Sequence, residues 1–167
     1  MTRVERREKL IDLVEDFSNA MLCTRTLKGQ LRSRPMAIGQ VTDEGDIFFV
    51  TAVDTAKAAE INFDEDVAIT CQGDSRFVSA SGKAELINDR ELIGELYQKS
   101  WDAWFENGAD DPTIRLLRVS TDIAEYWDYS GANALKFLWT AGKAVVGDET
   151  IDSSDYDNEQ HAKVALR

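Results

Sequence analysis

The order of hydrophobic patterns in this 167-residue chain predicts an antiparallel β-barrel with helices added at its start, middle and side. Three observations carry that prediction. The first three strand-like runs are joined without any helix between them, whereas an alternating βαβ sheet needs a crossover after each strand. Further strand-like runs at 67–73 and 76–87 are separated by the tight turn Gly73-Asp74-Ser75. The longer helical patterns fall at the N-terminus, in an alanine-rich stretch around Lys57 and in a stretch opening at Asp89.

Leu10, Leu13, Val14 and Phe17 recur at helical spacing opposite Glu5, Arg6, Asp12 and Glu15, which predicts an amphipathic helix over 3–18. Residues 19–26 read as a strand ended by a turn at Lys28-Gly29-Gln30, and 31–41 as a second. Pro35 marks an edge or a bulge in it, because proline has no N–H for the ladder. Thr42-Asp43-Glu44-Gly45 is a hairpin turn leading into the β run 46–51. The next segment is helical with Asp54 or Thr55 as its cap. After the strands 67–73 and 76–87, Asn88-Asp89 starts a helix through about Trp104, broken at Asn107–Pro112. Ile114–Thr121 and Ile123–Tyr129 read as two last strands and Ala132–Thr140 as a short helix. The stretch 148–167 reads as a polar, acidic, loosely held tail on a domain spanning 1–147.

Composition and charge narrow the chemistry. With 43% hydrophobic and 30% charged residues the chain is an ordinary folded one. No apolar run approaches the roughly 20 residues of a membrane helix, and the charged N-terminus lacks a secretory signal, so no membrane partner and a cytoplasmic location are expected. A net charge of -12 repels nucleic acid. Cys23 and Cys71 sit on strand-like segments and read as reduced packing residues, with a cross-strand disulfide as the alternative. The single histidine, His161, falls in the tail, which disfavours Ser-His-Asp and Cys-His catalysis. No zinc-ligand spacing and no GxGxxG or GxxxxGK[ST] loop is present.

One local reversal stands out. Between Asp16 and Asp43 there is no acid but Arg25, Lys28, Arg32 and Arg34, so this segment carries +4 and the remainder -16. A charge run is as readily a solvated face as a site. Arg32 and Arg34 lie two apart on a strand and therefore share one side of the sheet, with Ser33 and Met36 expected opposite unless Pro35 shifts the register. Further on, Thr51 ends a strand and Thr55 opens a helix, whose free N–H groups and dipole favour an anion. Lys57 lies in that first turn, where the dipole favours an acid. This points to an external anion, or simply to a lysine in solvent. Trp101, Trp104 and Phe105 at helical spacing fit a core or a subunit contact, while Tyr126 and Trp127 on a strand must face opposite ways.

The segments Arg32-Ser33-Arg34-Pro35-Met36, Phe48-Phe49-Val50-Thr51 and Thr55-Ala56-Lys57, in that order, resemble the FMN-binding split-barrel superfamily, which includes pyridoxamine 5'-phosphate oxidase. Trp101-Asp-Ala-Trp104-Phe105, Asp110-Asp111-Pro112 and Ala124–Asp128 add a likeness to its bacterial general stress proteins over about residues 5–140. The resemblance implies a mainly β, Greek-key-like split barrel with flanking helices, and a homodimer with the flavin at the subunit interface. It places Arg34, Pro35 and Met36 beside the flavin ring, Val50 and Thr51 at the ribityl chain and phosphate, and Thr55 and Lys57 at the phosphate. The family's intervening arginine is Ala56 here, so Arg32 is a candidate to replace that contact. Phe77 and Trp127 are candidates for the second subunit's contribution.

The implied cofactor is FMN, with FAD, a deazaflavin or, least, haem as alternatives. The implied activity is that of a flavin-dependent oxidoreductase reduced by NAD(P)H. Pyridoxamine 5'-phosphate oxidation is not expected, because the C-terminal arginine and histidine of the family's second phosphate pocket have no counterpart in the matched region. A non-catalytic module that sequesters or senses flavin under stress is the competing reading. The acidity itself reflects either a salt-rich cytoplasm or colloidal solubility.

Overall fold

The N-terminal amphipathic segment forms helix α1, Arg3–Glu15, in this computed structural model, which describes residues 1–131 and 161–167. Thr2 caps it through a reciprocal box with Glu5, satisfying two of the amides that a helix start leaves bare. Its Leu10, Leu13 and Val14 are buried against the sheet. Six strands follow in sequence: β1 Asn19–Arg25, β2 Leu31–Val41, β3 Ile47–Ala52, β4 Asp66–Gly73, β5 Arg76–Ile87 and β6 Ile114–Asp128. Helix α2, Ala56–Phe63, connects β3 to β4, and helix α3, Arg90–Leu96, lies between β5 and β6. A last strand, β7 His161–Ala165, completes the described residues.

All neighbouring strands are antiparallel, in the order β3-β2-β1-β4-β5-β6-β7, and an added β3–β6 pairing closes the first six into a barrel. The β3-β2-β1-β4 order is a Greek key, with α2 as its long return. The 15-residue β6 makes closure and splitting possible together. Its first half pairs with β3 from Ile114 to Val119, and its second half pairs with β7 from Ile123 to Trp127. Leu22, Phe49, Ile69, Leu117, Val119 and Tyr126 fill the interior, each at most 1% exposed. Burying each such side chain stabilises the fold by about 1.5–3 kcal/mol. A second cluster of Phe48, Ile93, Trp101, Phe105, Ile114 and Leu116 holds the connection between α3 and β6 against the barrel.

The hairpin turns form where the sequence places them. Gly29 and Gly45 take positive φ, and Asp74 and Ser75 both do so in the two-residue turn between β4 and β5. Other expectations are corrected. Ile114–Thr121 and Ile123–Tyr129 are not two strands, because Asp122 is bulged out of one continuous β6 where Ser81 faces Ile123 and Gly82 faces Thr121. Gly82 permits this close approach: a Cβ there would stand 2.1 Å from the Ser120 carbonyl oxygen. The helix opened by Asp89 ends at Leu96 rather than Trp104, and a 3-10 turn over Lys99–Ala103 follows. That turn seats the Trp101 ring over Gly39, about 3.4 Å from where a Cβ would lie. Met36 is buried on the Arg34 side of β2, not beside Ser33, since period two separates them and the register shift comes later, between Ile38 and Gln40.

The C-terminal expectation also changes. Residues 161–167 are not a loose tail: Ala162 and Val164 are buried in the main core, and Arg167 reaches Asp46 at 2.6 Å. Ala162, Val164 and Leu166 alternate with polar or small neighbours, the pattern of a half-buried strand. The short helix expected at 132–140 lies outside the described residues. Cys23 and Cys71 are both free thiols, and burial pushes the Cys71 thiol up to about 11.

Candidate functional site

Strands β2 and β3, the first turn of α2 and the segment after the 3-10 turn enclose a cleft of about 500 Å³. That is within the roughly 300–1,000 Å³ of small-molecule sites. Five residues singled out in the sequence line it together: Pro35, Val50, Thr51, Thr55 and Lys57. Thr55 is the N-cap of α2, and its hydroxyl donates to the Ala52 carbonyl at 2.9 Å and accepts from the Ala58 amide at 3.4 Å. The Thr51 hydroxyl lies 3.4 Å from it. Both hydroxyls are thereby held at the helix opening, beside amides of the first turn that no intrahelical carbonyl can satisfy.

Lys57 is the only ionisable side chain lining this cleft, and it makes no ion pair among the described residues. Burial, and then the neighbouring charge of Arg34, hold its pKa below the usual lysine value. A partly desolvated ammonium at a helix start is stabilised when an anion binds beside it.

Arg34 and Arg32 share one side of β2, as their spacing predicts, but they face a carboxylate that sequence reasoning missed. Glu60, 4% exposed on α2, accepts from Arg34 Nη2 at 2.7 Å, from Arg32 Nη1 at 3.4 Å and from the Thr24 hydroxyl at 2.6 Å. Arg34 Nη1 also donates to Thr24 at 2.5 Å. Burial alone would raise the Glu60 pKa. The Thr24 hydrogen bond and the charge and hydrogen bond of Arg34 outweigh it and hold the carboxyl below the usual range. Arg25 pairs with Asp64 at 3.1 Å. The basic island of the sequence is therefore partly neutralised by two acids of the α2 segment. The one available signal was the island itself: four cations without a local acid call for a counter-charge from elsewhere.

The remaining candidates fall outside the cleft or touch it differently. The Met36 side chain belongs to the core. Phe77 and Trp127 lie directly opposite each other on β5 and β6, away from the cleft, with Trp127 stacked on His161 at 5.1 Å. Trp104 and Phe105, read from sequence only as core or contact residues, form a wall of the cleft. Phe105 is buried, while Trp104 is 69% exposed.

Comparison with known proteins bears on the family and the fold. The profile of the family described as "Pyridoxamine 5'-phosphate oxidase like" matches residues 5–152. General stress protein 26 of Bacillus subtilis is 28% identical over 127 residues, covering 73% of this chain and 88% of that protein. A protein of Jannaschia sp. CCS1 assigned as a general stress protein 26 superposes with a TM-score of 0.72 at 28% identity, covering 96% of this chain and 98% of that one. The general stress FMN/FAD binding protein of Xanthomonas citri superposes at 0.66, also 28% identical, over 77% of this chain and 92% of its own. These likenesses match the split-barrel fold seen here.

Proposed function

The chain belongs to the pyridoxamine 5'-phosphate oxidase-like family, and on that premise we propose that it binds a flavin, FMN in the first instance, in the cleft between β2, β3 and α2. One observation carries the reading: among the described residues the cleft's only ionisable group is Lys57, a partly desolvated cation at the start of a helix. The phosphate of the flavin meets Lys57, the hydroxyls of Thr51 and Thr55, and the open amides of α2. The ring lies against Pro35, the backbone at Met36, and Val50. When bound, the flavin supplies two-electron chemistry, with NAD(P)H as the reductant. FAD is the alternative cofactor, since the similar protein from Xanthomonas citri is called an FMN/FAD binding protein.

A homodimer completes the proposal. The outward face of β2-β1-β4-β5 presents Ser33, Cys23, Ala68 and Ser81 in one cross-strand row and Pro35, Met21, Thr70 and Ser79 in the next. None is charged, in a chain of which 30% is. These rows form an uncharged strip, bounded by Arg25, Asp66 and Lys83 in the next row and by Glu125 opposite Ser79, and such a strip is suited to a second copy. Phe77 and Trp127 lie on the same outward side, where a partner's cofactor would meet them.

A non-catalytic flavin holder is the second reading. It is favoured by the lining itself, which offers no acid or base besides Lys57, and by His161, which lies on β7 bonded to Glu125. An absorption spectrum before and after adding FMN and gel filtration tests the binding. Flavin bands co-eluting at about one per subunit support it, and a colourless protein refutes it. Bleaching of bound flavin by NADPH then favours the oxidoreductase, and inert flavin the holder.

A further inference from the structure

A second cleft of about 680 Å³ continues along β2 from the first. Ala37 and Trp104 line both, so the exposed indole of Trp104 stands between the two spaces. Its floor is firm: Trp101 is 1% exposed, lies on Gly39 and packs edge-on against Tyr97 at 5.6 Å.

The two linings differ in charge. Hydroxyls of Ser18 and Ser100 and amides of Asn19, Gln40 and Gln98 face the second cleft, and none of these side chains bonds another described residue. Among the described residues the only charged one lining it is Glu15, with no lysine or arginine. We propose that this cleft is a binding site for a second small molecule next to the flavin: a planar, hydrogen-bonding compound that is neutral or cationic, with phosphorylated compounds excluded. This rests on the flavin reading of the adjoining cleft. A phosphate placed here would give up water without gaining a charge-assisted partner and would face Glu15. A planar ring stacks on Trp104, a cationic one with added attraction, while the amides and hydroxyls serve its polar edge.

The test uses two probes that differ only in the phosphate, pyridoxamine and pyridoxamine 5'-phosphate, followed to millimolar concentration by saturation-transfer NMR on FMN-loaded and flavin-free protein. Pyridoxamine is expected to bind at least tenfold more tightly. Trp104→Ala weakens it at least fivefold, and Gln98→Lys, an exposed position that tolerates substitution, reverses the preference. Equal or tighter binding of the phosphorylated probe, no binding of either, or a ranking unmoved by both substitutions overturns the proposal. Flavin retention is measured separately. If FMN is not retained but flavin-free protein still shows the preference and both substitution effects, the cofactor reading fails and the second site stands.

Discussion

Replacing Glu60 by glutamine removes the one negative charge from the inner side of the α2–β2 contact while keeping an acceptor for the Thr24 hydroxyl. Arg32 is 58% exposed at its side chain, so water already screens its share of the pair to little. Arg34 is 18% exposed and cannot regain full hydration when its partner is neutralised. Breaking a buried pair at one member is worth about 3–5 kcal/mol. The partial exposure of Arg34 and the retained amide place E60Q at about 2–3 kcal/mol, or a melting temperature lower by about 5–10 °C for a chain of this size. Circular dichroism melts of flavin-free protein at neutral pH measure it. The pH dependence supplies a second check. Because the folded pKa of Glu60 is depressed, its stabilisation is fully present above the ordinary glutamate value of about 4.3 and is lost as pH falls through the folded value. The gap between wild type and E60Q should therefore close in acid. Ligand affinity moves the opposite way. Released from Glu60, Arg34 gains one charge-assisted bond to a phosphate, about 1.5–3 kcal/mol, so FMN binds about 10- to 100-fold more tightly by titration calorimetry. An E60Q protein that melts within about 1 °C of wild type and binds FMN equally would refute the assigned role of the carboxylate.

Other substitutions probe independent parts. Lys57→Ala should weaken FMN at least tenfold by calorimetry. Wild-type affinity should fall in alkaline solution before an ordinary lysine loses its proton, since the ammonium is already destabilised by burial and by Arg34. Gly82→Ala drives a methyl into the backbone of Ser120 and Thr121, and a denaturant titration should show a loss of about 3 kcal/mol or failure to fold. Deleting residues 161–167 removes buried Ala162 and Val164 and strips the pairing from half of β6; a loss of about 3–5 kcal/mol is expected, against none for a loose tail. Ser81→Arg puts a charge in the uncharged strip of the outer face and, on the proposed dimer, should yield a monomer in sedimentation analysis. Cys23, on that face, should then become reactive to thiol reagents while Cys71 stays inert.

Local chemistry made most of the fold readable. Gly29, Gly45 and the Asp74-Ser75 pair force turns whatever surrounds them, and the strands between follow by period two. Failures occurred where a distant contact decided. Thr121-Asp122 looks like a strand end but is a bulge accommodated by Gly82, 40 residues away in the chain. Trp101, Trp104 and Phe105 keep helical spacing, yet Trp101 turns out of a helix to lie on Gly39. In β7 the alternating apolar residues were present, but a long acidic stretch before them hid the pattern. The site was legible in the same measure. Thr55 caps α2 as its position predicts, and Lys57 lines the same cleft from the first turn, where the dipole alone favours an acid. Arg34 does not act alone, because its partners Thr24 and Glu60 lie 10 and 26 residues away, beyond any motif.

Counting charges along the chain also misplaces the reason a phosphate would bind. The +4 island suggests a surplus of cations, but α2 returns an acid to it, and Arg25 is taken by Asp64. Near the Lys57 end of the cleft stand Arg32 and Arg34 with Lys57 against Glu60, a local charge of +2 that would balance a phosphate monoester dianion. The second cleft, with Glu15 alone, carries -1. By their described linings, Lys57 against Glu15, the two spaces sharing the Trp104 wall differ by two charges, within a molecule whose overall charge of -12 would by itself repel anions from both. On the proposed reading a ligand with a phosphate at one end and a ring at the other enters one way round, with its phosphate at Lys57 and its ring toward the second cleft, where an unphosphorylated partner is the better match.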